Sequence, residues 1–201
     1  MKFVGVDLET SGTDHDKSVP IQFGYADGEG KPRSWYIGGW DWNEWEWSER
    51  AAEVHNINKT KLQIAATAPQ VDAIVSNFLA RRQPEGQSFC MIGWNVAGFD
   101  RPFIEKHMPL TFSLFSYRTV DLNAICFALA IPQVRSYDRI KKESKEYALL
   151  RIGDSHEEAW HDAGFDALAA IYSYEYLRKM AWSGINFDKQ TVFEEAEYFN
   201  G

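Results

Sequence analysis

The sequence has few of the features that mark membrane or secreted proteins. No apolar run approaches the roughly 20 residues that a membrane-spanning helix needs, and Met1-Lys2-Phe3 leads directly into a strand pattern without the charged and apolar regions of a signal peptide. The two cysteines, Cys90 and Cys126, are too few for a disulfide framework, and both lie in apolar stretches. We therefore expect buried free thiols in an intracellular, cytoplasmic protein.

Positive charge is also scarce. The chain has 21 Lys and Arg residues against 29 Asp and Glu residues, which gives a formal net charge of −8. Proteins that capture nucleic acid over a broad surface are usually basic, so this balance argues against that class. It does not exclude an enzyme that acts on nucleic acid and gathers its acids around bound cations, because such cations reverse the local charge.

Aromatic residues, by contrast, are abundant: they make up 15% of the chain and include 8 Trp. Residues 38–47, with the sequence GGWDWNEWEW, alternate Trp with Asn or acidic residues. Such a segment can be a platform for stacking unpaired bases or a set of side chains packed over a sheet edge. The interleaved acids would repel a phosphate backbone at short range, which favours packing or a surface for a partner protein.

Hydrophobic periodicity predicts one α/β domain with a mixed sheet. Strands are predicted at residues 2–8, 21–26, 33–37 and 89–93, and helices at residues 49–54, 69–82, 100–107, 121–130 and 162–180. The 201 residues are enough for one hydrophobic core. We assign residues 1–180 to the domain and residues 181–201 to an acidic C-terminal extension, which is either a docking tail or a frayed end.

The first strand carries two acids on alternate positions, Asp7 and Glu9. Side chains alternate faces along a strand, so these two point the same way while Val6 and Leu8 point the other way. Neighbouring carboxylates repel each other unless a cation lies between them, and Mg²⁺ prefers such oxygen ligands. An ordinary surface strand with solvated acids explains this stretch equally well when it is taken alone.

Two further acids stand out by their position. Asp100 follows the apolar strand 89–93, and Asp166 lies inside the last predicted helix. Functional residues of open α/β sheets gather at the carboxyl ends of strands, where Asp7, Glu9 and Asp100 are expected. Four carboxylates together would strongly disfavour one another's ionisation. With two divalent ions they become a clamp for an in-line phosphoryl displacement.

His161 lies five residues before Asp166, about 140° away on a regular helix. Both side chains can reach one site only if His161 precedes the first helical turn, and Asp162 is a plausible N-cap that would place it there. A histidine at that point suits proton abstraction from water near neutral pH. The alternative is an isolated surface or capping histidine.

Residues 135–151 form the most basic part of the chain, with Arg135, Arg139, Lys141, Lys142, Lys145 and Arg151 interleaved with Glu and Tyr. This pattern is typical of a solvated helix face with ion pairs four residues apart. It is equally typical of a contact to a nucleic-acid backbone.

Three segments resemble the exonuclease motifs of the DEDDh family, which includes the proofreading 3′→5′ exonucleases of DNA polymerases, ribonuclease T and oligoribonuclease. The segments are Asp7-Leu8-Glu9-Thr10-Ser11-Gly12, Asn95-Val96-Ala97-Gly98-Phe99-Asp100 and His161-Asp162-Ala163-Gly164-Phe165-Asp166-Ala167. They occur in the family's order, and the step from His161 to Asp166 separates this branch from its tyrosine sister. Val54-His55-Asn56-Ile57 also resembles the family's VHGI segment, with Asn56 where Gly is usual. We take His55 as structural or substrate-adjacent.

The resemblance implies a ribonuclease H-like fold, a five-stranded mixed sheet with helices on both sides. It also implies two divalent ions, Mg²⁺ or Mn²⁺. Asp7 would bridge both, Glu9 and Asp166 would complete the first, and Asp100 would hold the second. His161 would deprotonate the attacking water.

The resemblance further implies a substrate-binding set. The Thr10 backbone N–H would meet the terminal 3′-hydroxyl, and Leu8 or Phe99 would pack against the last base or sugar. Asn95 belongs to the same set by its place in the second motif.

The sequence therefore predicts a metal-dependent 3′→5′ exonuclease that releases nucleoside 5′-monophosphates from single-stranded DNA. A 3′→5′ exoribonuclease of the ribonuclease T or oligoribonuclease type is an alternative, because sugar discrimination rests on 2′-hydroxyl contacts that a motif does not reveal. A non-catalytic binding module is a second alternative, although such a module is expected to lose an acid or the histidine. Possible partners are single-stranded 3′ ends and a separate polymerase or replication protein.

Overall fold

The computed structural model describes residues 1–131, 135–153 and 161–183. The strands are β1 (Lys2–Thr10), β2 (Pro20–Ala26), β3 (Arg33–Tyr36), β4 (Phe89–Gly93) and β5 (Phe115–Asp121). The helices are α1 (Glu49–His55), α2 (Lys59–Gln63), α3 (Ala68–Ala80), α4 (Asp100–His107), α5 (Pro109–Phe112), α6 (Leu122–Leu129), α7 (Tyr137–Ile152) and α8 (Ala163–Ser183).

The five strands form one mixed sheet in the order β3-β2-β1-β4-β5. β1 is antiparallel to β2 and parallel to β4, and β4 is parallel to β5. The predicted five-stranded mixed sheet is confirmed. Because β1, β4 and β5 run in the same direction, their carboxyl ends lie at the same edge of the sheet.

Helices cover both faces of the sheet. One core joins the Val6 and Leu8 face of β1 to apolar residues of α3 and α4, such as Val75 and Phe103. The second core joins Ile92 of β4 to α6, α7 and α8. The alternation predicted for β1 is confirmed, since Val6 and Leu8 lie in the first core.

Strand β5 was not predicted from periodicity. Residues Phe115–Asp121 form the edge strand, and Tyr117 and Arg118 on it are exposed, so the stretch lacks a continuous apolar run. The predicted helix 121–130 begins one residue later, at Leu122, because Asp121 closes β5 and caps α6 by accepting hydrogen bonds from the Asn123 and Ala124 N–H groups.

The other predicted elements are found within a few residues of their expected bounds. Helix α8 extends to Ser183, and most of the predicted acidic extension lies outside the described residues. Cys90 and Cys126 are buried free thiols, as predicted. Within the described ranges, no helix is both long and apolar enough to cross a membrane.

Candidate functional site

The site is organised around the central strand β1. Asp7 and Glu9 lie near its carboxyl end, on the face that α8 covers, and Glu9 is buried. Asp100 is the first residue of α4, directly after the loop that leaves β4, and it is also buried. Its Oδ1 accepts a hydrogen bond from the Leu8 backbone N–H at 2.9 Å. This bond fixes the start of α4 against the strand that carries the other two acids.

Two glycines allow α8 to approach the sheet closely. A Cβ atom on Gly5 of β1 would lie 2.0 Å from the Ala167 carbonyl oxygen, and one on Gly24 of β2 would lie 2.0 Å from the Ala163 carbonyl group. Any side chain at these positions would push the helix away from the strands. The close approach brings Asp166, in the first turn of α8, to the acids of β1.

The start of α8 is anchored by polar contacts. Asp162 Oδ1 accepts hydrogen bonds from the Gly164 and Phe165 N–H groups, and Gln22 Nε2 of β2 donates to Asp162 Oδ2 at 2.8 Å. Asp162 thus caps the helix, as predicted, and His161 precedes its first turn. His161 adopts a left-handed backbone with φ 67°, and its N–H donates to Asp166 Oδ2 at 3.2 Å.

The four carboxylates lie close enough to disturb one another's ionisation. Burial, followed by the charges of Asp100, Asp166 and Glu9, raises the pKa of Asp7 well above its usual range. Burial and the charges of Asp166 and Asp100 raise the pKa of Glu9 to about 8. Burial is also the main cause that raises the pKa of Asp100 to about 7 and that of Asp166 to about 6.

This donor set fits a divalent cation. Buried carboxylates normally have a paired cation or a metal to offset their charge, and the charge of Lys145, which acts on Asp7 and Asp166, does not outweigh the effect of burial on their pKa values. One ligand atom each from Glu9, His161 and Asp166 lie within 4.8 Å of one another. Carboxylate oxygens suit Mg²⁺ and Mn²⁺. The structure thus places together all five residues that the sequence assigns to catalysis.

We expect Gly24→Ala to weaken Mn²⁺ binding by about 10- to 100-fold, because it displaces the helix that carries Asp166. The added methyl group should also lower the free energy of unfolding by about 1–3 kcal/mol. Calorimetric Mn²⁺ titration and thermal unfolding measure the two effects. Gly30→Ala is the matched control, since its Cβ atom would have no neighbour closer than Asp27 Oδ1 at 4.0 Å. Equal Mn²⁺ affinities in the two variants would contradict the role given to this contact.

A cleft of about 720 Å³ opens beside the acids. Leu8, Glu9, Thr10 and Phe99 line it, as do residues of α1 and the segment before it. Of the predicted substrate-binding residues, Leu8, Thr10 and Phe99 therefore reach the cleft. Asn95 is not among the described residues that line it: its side chain is exposed, and its carbonyl accepts the turn hydrogen bonds of Gly98 and Phe99.

His55 lies in the wall of this cleft. Its Nδ1 accepts a hydrogen bond from the Ile57 N–H at 3.0 Å, so the neutral ring carries its proton on Nε2. Burial is the main cause that lowers the pKa of His55, which keeps the ring neutral at physiological pH. Nε2 is buried, and a hydrogen bond with the Thr10 backbone acts to raise the pKa of the ring against the effect of burial. His55 therefore connects α1 to the end of β1 in the wall of the cleft.

Trp47 and Arg50 also line the cleft, and sequence reasoning did not assign them to the site. Trp47 was expected to pack, and it does: with Trp42 and Trp45 it packs against a small core that includes Ile21 and Leu62. The packing interpretation of the Trp-rich segment is confirmed. Arg50 lies on α1 and lines the same cleft as Glu9, and which helix borders the end of a strand is a tertiary feature that no local pattern encodes.

The comparisons with known proteins show a shared fold at low sequence identity. No protein-family model matches the sequence, and no curated protein is significantly similar to it. Among solved structures, E. coli exonuclease I in complex with a dT13 oligonucleotide superposes with a TM-score of 0.61 and 18% identity over 88% of this chain and 40% of that chain. A product-bound structure of exonuclease I gives a TM-score of 0.62 at 17% identity, over 96% of this chain and 45% of that chain.

S. pombe Pop2p in a form that contains Mg²⁺ and Mn²⁺ is similar over a larger share of its own length. Its TM-score is 0.62 at 15% identity, over 94% of this chain and 86% of that chain. In contrast to this match, the chain spans less than half the length of the exonuclease I chains described above. At these identities the likeness shows the fold, and the predicted ribonuclease H-like fold is confirmed.

Proposed function

We propose that the protein is a metal-dependent 3′→5′ exonuclease of the DEDDh type that acts on single-stranded DNA. The observation that carries this proposal is the convergence of Asp7, Glu9, Asp100 and Asp166 with His161 beside an open cleft. Solved structures of the same fold include an exonuclease bound to a single-stranded oligonucleotide and a protein bound to Mg²⁺ and Mn²⁺.

In this proposal the four carboxylates hold two divalent ions, Mg²⁺ or Mn²⁺. When bound, such ions stabilise the charge that develops on a phosphodiester during in-line displacement. His161 stands at the entrance of α8, within reach of Glu9 and Asp166, and takes the proton from the attacking water. The hydrogen bond from the His161 N–H to Asp166 fixes the backbone that carries the imidazole.

The cleft receives the terminal nucleotide. Leu8 and Phe99 supply apolar contacts, and Thr10 lies at the same wall, where the hydrogen bond of His55 holds its backbone. Arg50 supplies a positive charge to the cleft, which the acids Asp14 and Glu46 also line. Asn95, exposed at the turn before α4, supports the loop that presents Phe99.

The test is a nuclease assay on one single-stranded 12-mer labelled at either end, with Mg²⁺ or Mn²⁺ present. We expect the 3′ label to be released first as a nucleoside 5′-monophosphate, while the 5′-labelled strand shortens stepwise. A circular single strand is the control, because it has no end and should stay intact. Absence of mononucleotide release, or cleavage of the circle, would contradict the proposal.

Matched DNA and RNA oligomers in the same assay decide the sugar preference. Exoribonuclease activity is the alternative, and it requires a kcat/KM that is higher for RNA, since only contacts to the 2′-hydroxyl separate the two substrates.

A further inference from the structure

Ion pairs between described residues hold several of the basic side chains in residues 135–151. The pairs are Arg135 and Arg139 with Glu143, Lys142 with Glu146, and Arg151 with Glu175. Most of this basic segment therefore serves the structure of α7 and its contact with α8, as the ion-pair interpretation of the sequence predicts. Lys141 and Lys145 share one further contact, with an aromatic ring.

Lys141 and Lys145 lie against a single indole ring. Their Nζ atoms are 5.1 Å and 5.4 Å from the centre of Trp94, the residue that follows β4. The two lysines are four residues apart, so they are neighbours about 6 Å apart along one face of α7. We call Trp94, Lys141 and Lys145 the lysine–tryptophan patch.

Neutral groups hold Lys141 in place. Its Nζ donates to Asn123 Oδ1 of α6 at 3.2 Å and to the Tyr137 hydroxyl at 3.4 Å, and the Tyr137 hydroxyl itself donates to Asn123 Oδ1. These contacts position the ammonium group without neutralising its charge. An ammonium that is pre-positioned in this way loses less side-chain entropy when an anion binds.

The patch borders the acid cluster. Trp94 follows β4, whose residue Ile92 lies opposite Gly5 of the parallel strand β1, and the charge of Lys145 lowers the pKa of both Asp7 and Asp166. Among the described residues that line the cleft, none belongs to the patch. The carboxylates thus border two surfaces, the cleft and the patch.

In a protein of net charge −8, the positive charges of Lys141 and Lys145 beside the acids lower the repulsion that an incoming phosphate chain meets.

We propose that the lysine–tryptophan patch binds the phosphate backbone of the strand on the 5′ side of the bond that is cut, with the exposed part of Trp94 against the adjoining base. This inference rests on the proposed exonuclease function. When the cleft holds the terminal nucleotide and the carboxylates hold the scissile phosphate, the rest of the strand must leave past another side of the cluster. The patch supplies cations and an aromatic surface there.

The test compares Lys141→Gln with Lys142→Gln. Both changes remove one positive charge from α7, but Lys142 is exposed and lies on another face of the helix. Lys145 is a less selective target because its charge also acts on Asp7 and Asp166. The substrates are a single-stranded 12-mer and the p-nitrophenyl ester of thymidine 5′-monophosphate, which has no phosphate beyond the bond that is cut.

We expect Lys141→Gln to raise KM for the 12-mer by about 3- to 10-fold, with an effect at least threefold larger on the 12-mer than on the ester. The slope of log affinity against log salt should also become shallower by about 0.7, the value for one lost contact to a single strand. Lys142→Gln should behave as the wild type on both substrates.

The inference would be overturned if Lys141→Gln raised KM equally for the 12-mer and the ester. It would also be overturned if Lys141→Gln and Lys142→Gln had the same KM for the 12-mer. Inactivity of the wild-type protein on both substrates would instead refute the proposed exonuclease function. In that case, fluorescence anisotropy of a labelled 12-mer still decides the matter, because binding that Lys141→Gln leaves unchanged excludes the patch as a strand-binding surface.

Discussion

Asp7→Asn should lower the rate of mononucleotide release by about 10³-fold or more. The same change should raise the melting temperature of the metal-free protein. The two effects have one cause. Asp7 is the acid on which the charges of Asp100, Asp166 and Glu9 all act, so its carboxylate is the central ligand when cations are bound and the central source of repulsion when they are not. The amide has the same shape without the charge.

The pH dependence of the stability follows from the same acids. Their pKa values are raised in the folded protein, to about 8 for Glu9, about 7 for Asp100 and about 6 for Asp166, so the folded state binds more protons than the unfolded chain above pH ~4. Their contribution to stability is complete below that pH and is lost as the pH rises through 6 to 8. In EDTA the wild-type melting temperature should fall across this range.

The gain for Asp7→Asn should therefore be largest at about pH 8. If the variant removes about 1–2 kcal/mol of repulsion from the folded state, its melting temperature should rise by about 3–6 °C for a domain of this size. Thermal unfolding in EDTA and in excess Mn²⁺ measures it, and Mn²⁺ should stabilise the wild type more than the variant. Glu85→Gln, an exposed acid in the turn after α3, is the charge-matched control. A lower melting temperature for Asp7→Asn in EDTA would show that its carboxylate is not under repulsion.

The sequence was sufficient for the parts of the fold that local patterns encode. Alternation placed Asp7 and Glu9 on one face of β1, and the apolar run Phe89–Gly93 marked a strand that is buried throughout. The step from His161 to Asp166 required His161 to precede the helix, and Asp162 does cap α8 there. Each of these inferences needs only the geometry of a single element.

Features that depend on several elements could not be predicted in the same way. The contact of α8 with Gly5 and Gly24 joins residues more than 130 positions apart, and a lone glycine in a strand pattern does not reveal what approaches it. Arg50 reaches the cleft because the N–H of Ser48, the cap of α1, donates a hydrogen bond to the Ser11 carbonyl just after β1. Edge strand β5 was missed because its exposed Tyr117 and Arg118 interrupt the apolar pattern.

The role of each cation in the basic segment 135–151 also depends on tertiary contacts that the sequence of one helix does not reveal. From sequence, all six cations of residues 135–151 were equivalent, and the ion-pair and nucleic-acid interpretations were equally good. The structure separates them, because Glu143 and Glu175 are positioned to pair with the arginines. Lys141 and Lys145 meet Trp94 through tertiary packing of α7 against the end of β4.

His161→Ala should lower kcat by about 10²- to 10⁴-fold while Mn²⁺ affinity stays within about threefold of the wild type, because a general base contributes to the rate and not to metal affinity. Alanine keeps the Cβ atom, so the left-handed backbone at φ 67° has the same steric cost in both proteins. Single-turnover rates and calorimetric Mn²⁺ titration separate the two quantities.

The position of His161 makes the opposite outcome informative. Its ring lies within 4.8 Å of ligand atoms of Glu9 and Asp166, a distance that also suits a third ligand to one cation. A loss of more than tenfold in Mn²⁺ affinity, with a matching loss in rate that excess Mn²⁺ restores, would assign the imidazole to metal binding instead. Loss of rate that Mn²⁺ does not restore leaves proton transfer as its role, since Glu9 and Asp166 remain to hold the cation.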